Sequence, residues 1–135
     1  MVKKMREEVL LWLNDSKRSL NIAKKNFDLE LYEVAVFYCQ QCLEKLLKGS
    51  VLHFRKKLVK THRLDMLYVK VSREVSLSQE FINFIKMIMP YYTITRYPDI
   101  TMGLPIDVVT KEFAKECIEK TEMISKCFHK VILKG

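Results

Sequence analysis

The stretch Leu31–Phe54, LYEVAVFYCQQCLEKLLKGSVLHF, decides the fold. Apolar residues recur at Tyr32, Val36, Cys39, Leu43 and Leu46, with Ala35, Cys42 and Leu47 beside them. These steps fit a helical repeat of about 3.6 residues and not the alternation of a strand. The stripe is broad, so at least two other helices should cover it. Gln40 and Glu44 share one edge of the stripe, while Gln41, Lys45 and Lys48 share another. Gly49 costs about 1 kcal/mol of helix propensity. A neighbouring helix approaching closely would explain its presence.

Working outward, Lys4 to Phe27 reads as a first helix with a seam of Val9, Leu13, Ser16, Leu20, Ala23 and Phe27. Asp28 is the expected cap of the next helix, and the short link makes the two antiparallel neighbours. Thr61 is a plausible cap for a third helix carrying Leu64, Leu67, Tyr68 and Val71. Ser76, with Gln79 three residues on, offers a capping box for a fourth, and Ser78 competes with it. That helix carries Phe81, Ile82, Phe84, Ile85, Ile88 and Met89, and should stop near Pro90. Residues 90–106 are the main expected break. Beyond it, Asp107 can cap a last helix bearing Phe113, Cys117, Thr121, Ile124, Phe128 and Val131, with Ala114, Ile118 and Ile132 beside them. The expected architecture is a single all-α domain over residues 1–135. It is an up-and-down antiparallel bundle of four long helices plus a shorter one.

The chain of 135 residues can bury a real core without metals or disulfides. Its net charge of +8 is concentrated: Lys45 to Arg73 holds nine basic residues and one acid, Asp65. Such a patch suits an anionic partner, RNA or nucleotide among them, or simply a solvated face. Cys39, Cys42, Cys117 and Cys127 lie on helical patterns and read as buried reduced thiols. The Cys39–Cys42 pair lies within an apolar helix, whereas a redox pair should open one. Three scattered histidines give no metal-ligand spacing, so neither metal nor cofactor is expected. His129, near a helix end, should favour the imidazolium form. No run is long enough for a membrane span, and the start lacks an apolar leader, which implies a cytoplasmic protein.

With these residues in place, the chain resembles the HEPN domain. The likeness is carried by the pattern after Trp12, by Tyr32, Ala35, Phe37, Gln40-Gln41, Glu44-Lys45 and Lys48, and by Thr61-His62 with Leu64. Arg96-Tyr97-Pro98-Asp99 adds a second match. The resemblance implies a homodimer and partnership with a minimal nucleotidyltransferase protein, as in toxin–antitoxin pairs. Many such domains are metal-independent ribonucleases with an arginine and a histidine separated by about four to six residues. The chemistry fits, since histidine moves protons near neutral pH and arginine holds phosphate.

Arg96 is not followed by such a histidine, whereas Arg55 and His62 meet the spacing in another part of the chain. The leading expectation is therefore a binding module without the usual catalytic motif. The alternatives are a metal-independent RNA endonuclease using His62 with Arg55 or Arg63, and nucleotide or RNA binding without catalysis. Gln40, Gln41, Glu44, Lys45 and Lys48 are the candidate polar cleft, or else a buried network that sets helix register. Tyr92, Arg96, Tyr97 and Asp99 form a candidate interface segment, because Tyr and Arg are enriched at protein contacts.

Overall fold

The computed structural model describes residues 2–92 and 109–134. Arg96, Tyr97, Asp99 and Asp107 lie outside the described residues. Five helices are defined within them: α1 Val2–Asp28, α2 Tyr32–Arg55, α3 Leu64–Val69, α4 Gln79–Ile88 and α5 Lys111–Leu133. No strand occurs among the described residues. The up-and-down bundle is thus observed, with its lengths distributed as three long helices and two short ones. α3 has only 6 residues and α4 has 10.

α2 is the central helix. Ala35, Val36, Cys39, Cys42, Leu43, Leu46 and Leu47 are fully buried. α1 covers it along the expected seam, with Val9, Leu13, Ser16, Leu20 and Ala23 all buried. Ser16 is accommodated because its hydroxyl donates to the Cys42 carbonyl at 3.0 Å. Gly49 has the predicted steric reason: a Cβ there would sit 2.8 Å from Trp12 Cβ. α5 closes the core with Ala114, Cys117, Thr121, Ile124 and Phe128. Lys24 of α1 is ion-paired with Glu122 of α5 and holds that carboxyl below its ordinary range. Val131 is exposed and Ile132 is buried, so the seam shifts by one residue in the last turn.

The caps differ from those expected, and each difference has a local cause. Asp28 ends α1 instead of capping α2. Glu30 adopts a left-handed φ of 63°, and Leu31 N–H then donates to the Asn26 carbonyl at 2.9 Å. This turn satisfies the end of α1 without a side-chain cap on α2. Before α3, Thr61 Oγ1 accepts the Arg63 N–H at 3.2 Å, which makes a turn and leaves Arg63 as the N-cap. Ser78, not Ser76, caps α4 by accepting the Phe81 N–H. Thr110 caps α5 by accepting the Phe113 N–H at 3.1 Å. Tyr91 and Tyr92 are helical, not part of the break. Proline cannot extend a helix but can stand in the first turn of a new one.

The link from α3 to α4 is held by one phenol. Tyr68 Oη donates to the Val75 carbonyl and accepts the Leu77 N–H, both at 2.8 Å. Val71, Val75 and Leu77 are buried around it. Among the described residues no helix is long and apolar enough to cross a membrane.

Candidate functional site

Helical spacing puts Gln40, Glu44 and Lys48 on one flank of α2, one turn apart. Gln40 is fully buried, and its Oε1 accepts from Gln41 Nε2 at 2.8 Å. Gln40 Nε2 is buried and has no hydrogen-bond partner. Glu44 is 6 % exposed, and its carboxylate is engaged twice. Lys48 Nζ donates to Oε2 at 3.0 Å, and His62 Nδ1 lies 3.1 and 3.0 Å from the two oxygens. A carboxylate is only an acceptor, so Nδ1 carries the proton and Nε2 is left as the basic nitrogen. The His62 side chain is 61 % exposed.

The far wall is aromatic. Tyr92 stacks on His62 with ring centroids 4.8 Å apart and planes at 16°. Phe37 stacks on Tyr92 at 6.1 Å. The site thus draws on α2, the connection before α3 and the helical residues after Pro90. Its histidine is oriented by a buried carboxylate and held against a tyrosine face. This arrangement can accept a proton at one fixed nitrogen, or present a rigid polar-aromatic surface to a partner.

The other candidates go elsewhere. Lys45 turns toward α1, pairing with Asp15 at 2.9 Å and bonding Ser19 Oγ at 3.1 Å. Arg55 makes a two-point pair with Glu74 at 3.0 and 2.7 Å, which holds the Glu74 carboxyl below its ordinary range. Arg63 pairs with Asp65 at 2.9 Å and lowers that carboxyl in the same way. Lys57 and Lys60 are exposed and form no ion pair among the described residues.

Sequence reasoning missed two features: the Glu44–His62 contact, which spans 18 residues, and the role of Phe37 behind Tyr92. The available signal was a carboxylate set at the border of an apolar stripe, where only a cation or hydrogen-bond donor makes its burial tolerable.

Burial pushes the Cys39 thiol well above its ordinary range, Cys42 to about 11 and Cys117 to about 12. Cys127 is exposed, contrary to the expectation of burial, and the thiols are free. His129 departs from its expected imidazolium. Burial lowers its pKa, the bond from Nδ1 to the Ser125 carbonyl at 2.8 Å acts in the opposite direction, and Lys17 lowers it further. Among the described residues no group of three His, Cys, Asp or Glu side chains is placed to hold a metal ion.

Comparison with known proteins gives a consistent result. The family model described as HEPN domain matches residues 9–131. The Methanocaldococcus jannaschii protein "Putative toxin MJ1304" is 27% identical, over 84% of this chain and 81% of that one. The crystal structure of TT1696 from Thermus thermophilus superposes with a TM-score of 0.81 at 26% identity, covering 91% of this chain and 97% of the other. The crystal structure of ST0689, an archaeal HEPN homologue, gives a TM-score of 0.73 at 28% identity, covering 93% and 98%.

Proposed function

The chain belongs to the HEPN domain family, and on that premise we propose that it is a dimeric binding module that works with a minimal nucleotidyltransferase partner. In this reading the Glu44–His62–Tyr92 cluster is a contact surface and not a nuclease centre. One observation carries it. The two residues with nuclease-like spacing have separate partners: Arg55 is held in two-point contact by Glu74, and His62 is turned to Glu44. Similarity to the protein named "Putative toxin MJ1304" supports a place in a toxin–antitoxin pair, and this reading puts its action in the cytoplasm. Co-expression with the product of the neighbouring gene, which this reading expects to be a minimal nucleotidyltransferase, tests the proposal. The expected result is co-purification and a mass corresponding to a complex built on two copies of this chain. A monomer that ignores the nucleotidyltransferase overturns it.

A second reading is favoured by a different observation. Glu44 fixes the His62 tautomer with Nε2 outward, as a general base requires. A metal-independent RNA endonuclease would use that nitrogen. Incubation with structured RNA and EDTA, alongside His62→Ala, decides it. Cleavage that disappears in the variant supports this reading, and absent or unchanged cleavage removes it.

A further inference from the structure

A groove of about 320 Å³ runs between α3, the turn that follows it and α4, with Met66, Tyr68, Val69, Ile82, Ile85 and Lys86 in its lining. α3 turns Leu64, Leu67 and Tyr68 into the core. Its outward positions are apolar as well: Met66 is 50% exposed and Val69 is 72% exposed. Three residues apart, the two adjoin on one helix face, and Ile82 of α4 stands half-buried in the same groove. A six-residue helix draws no stability from a valine in water, because β-branching lowers helix propensity. The floor is set in advance. The Tyr68 hydroxyl is taken by the Val75 carbonyl and the Leu77 N–H, so this side chain offers the groove only its ring. Ile85 beside it is buried. A preformed apolar floor loses little ordering entropy when an apolar group enters.

Charge decides the occupant. Lys70, Arg73 and Lys86 are exposed and form no ion pair among the described residues. Lys70 comes one helical turn after Met66, Arg73 follows Ser72 of the lining, and Lys86 lies on the α4 side. The acids of these elements are already engaged. Asp65 holds Arg63 and the Met66 N–H, Glu74 holds Arg55 of α2, and Glu80 pairs with Lys120 of α5. The charge left to meet a partner is therefore positive on both sides of an apolar floor. A nucleic-acid backbone would match the cations and leave Met66, Val69 and Ile82 in water. An acidic amphipathic segment satisfies both, with apolar anchors at helical spacing seated in the groove and carboxylates at its edges.

We infer that the α3–α4 groove binds an acidic amphipathic segment of a partner protein. Its apolar side chains rest on Met66, Val69 and Ile82, and its carboxylates face Lys70, Arg73 and Lys86. The inference needs neither the dimeric reading nor either role of His62.

Fluorescence anisotropy on the full chain tests it. The probes are labelled helical peptides with leucines at three- or four-residue spacing on one face and glutamates along both edges. The controls are the same peptides with lysine for glutamate, and a single-stranded oligouridylate. The proteins are wild type, Val69→Asp, and Lys70→Glu combined with Lys86→Glu. All three positions are exposed, so the fold should survive, as circular dichroism would verify. The expected result is saturable binding of an acidic probe that weakens about tenfold or more in Val69→Asp. The charge-reversed pair should lose several-fold for that probe and gain affinity for its lysine counterpart. Absence of saturable binding by every acidic probe overturns the inference, and so does binding indifferent to Val69→Asp. Equal affinity of the wild type for the lysine peptides removes the charge argument on which it stands. Tighter binding of oligouridylate than of the acidic probes assigns the surface to nucleic acid. If Val69→Asp leaves probe binding unchanged and alters the mass of the chain in solution, the groove belongs to a second copy and the inference is wrong.

Discussion

The two flanks of α2 are built on different physics. Toward α1, the contact is mainly steric: Leu13, Leu43 and Leu46 are essentially inaccessible, Gly49 admits Trp12, the Ser16 hydroxyl donates to the Cys42 carbonyl, and the buried Ser19 hydroxyl accepts from Lys45. Toward His62, a nearly buried carboxylate gathers a lysine from its own helix and an imidazole from the next connection, with a tyrosine ring behind. The first flank specifies how the helices pack. The second holds a charge that is tolerable only while its partners are present, and it reaches solvent. A region that keeps an oriented polar group at the surface, over a carboxylate whose burial must be offset by its partners, is where function is sought.

The sharpest way to break this contrast is to cut into each flank. Leu43→Ala removes most of a side chain from a site with no exposure, and should cost about 3 kcal/mol in urea unfolding. A cost below about 1 kcal/mol would mean that the seam is not close-packed. Glu44→Ala should cost about 2 kcal/mol, because Lys48, whose side chain is only 11% exposed, loses its counter-charge. Glu44→Gln should lose less, since it can still accept from a donor. His62→Ala should lose less again, because that ring is largely in water. Were His62→Ala to match Glu44→Ala, the cluster would be a stability device first.

The bundle was readable because its signals are local. Four-and-three spacing on α1, α2 and α5 repeats over many turns, so the seam from Val9 to Ala23 and the stripe from Ala35 to Leu47 follow from periodicity alone. Caps were less legible because several serines, threonines and aspartates compete within a few residues, and backbone geometry chooses among them. Asp28 lost to a left-handed Glu30, and Ser76 lost to Ser78. The site was half legible. Gln40, Gln41, Glu44 and Lys48 share a helix and a repeat, so their grouping could be read. That His62 would turn to Glu44, and Arg55 to Glu74, depends on how the chain doubles back after α2, and no spacing rule encodes it. The Arg55–His62 spacing shows the hazard, since neighbours in sequence were assigned separate partners in space.

A smaller effect sharpens the steric flank. At most exposed helix positions, Gly→Ala stabilises by about 1 kcal/mol. At Gly49 the new Cβ would meet Trp12 Cβ at 2.8 Å, and that atom is fixed to the α1 backbone and cannot swing aside. Overpacking of this kind costs about 1–3 kcal/mol, so Gly49→Ala should be net destabilising by roughly 1 kcal/mol. A more stable variant would show that α1 and α2 can separate slightly without penalty, and the contrast with the polar flank would weaken.

The smallest expected effect concerns pH, and it comes from a histidine outside both flanks of α2. His129 is half-buried on α5, its Nδ1 faces the Ser125 carbonyl and its Nε2 is buried without a partner. Burial holds its folded-state pKa below the ordinary 6.5. The unfolded chain therefore takes up a proton at a pH where the folded chain does not. Stability from this group is complete above 6.5 and declines as pH falls from there toward the lower folded value. His53 is lowered by burial, Lys56 and Arg6, and adds a slope of the same sign. Urea midpoints should thus fall on acidification from about pH 7.5 to about 5.5, and His129→Gln should remove part of that fall while keeping a side chain that can donate to the Ser125 carbonyl. If His129→Gln leaves the profile unchanged, this half-buried ring does not govern the response, and its role on α5 would have to be redrawn.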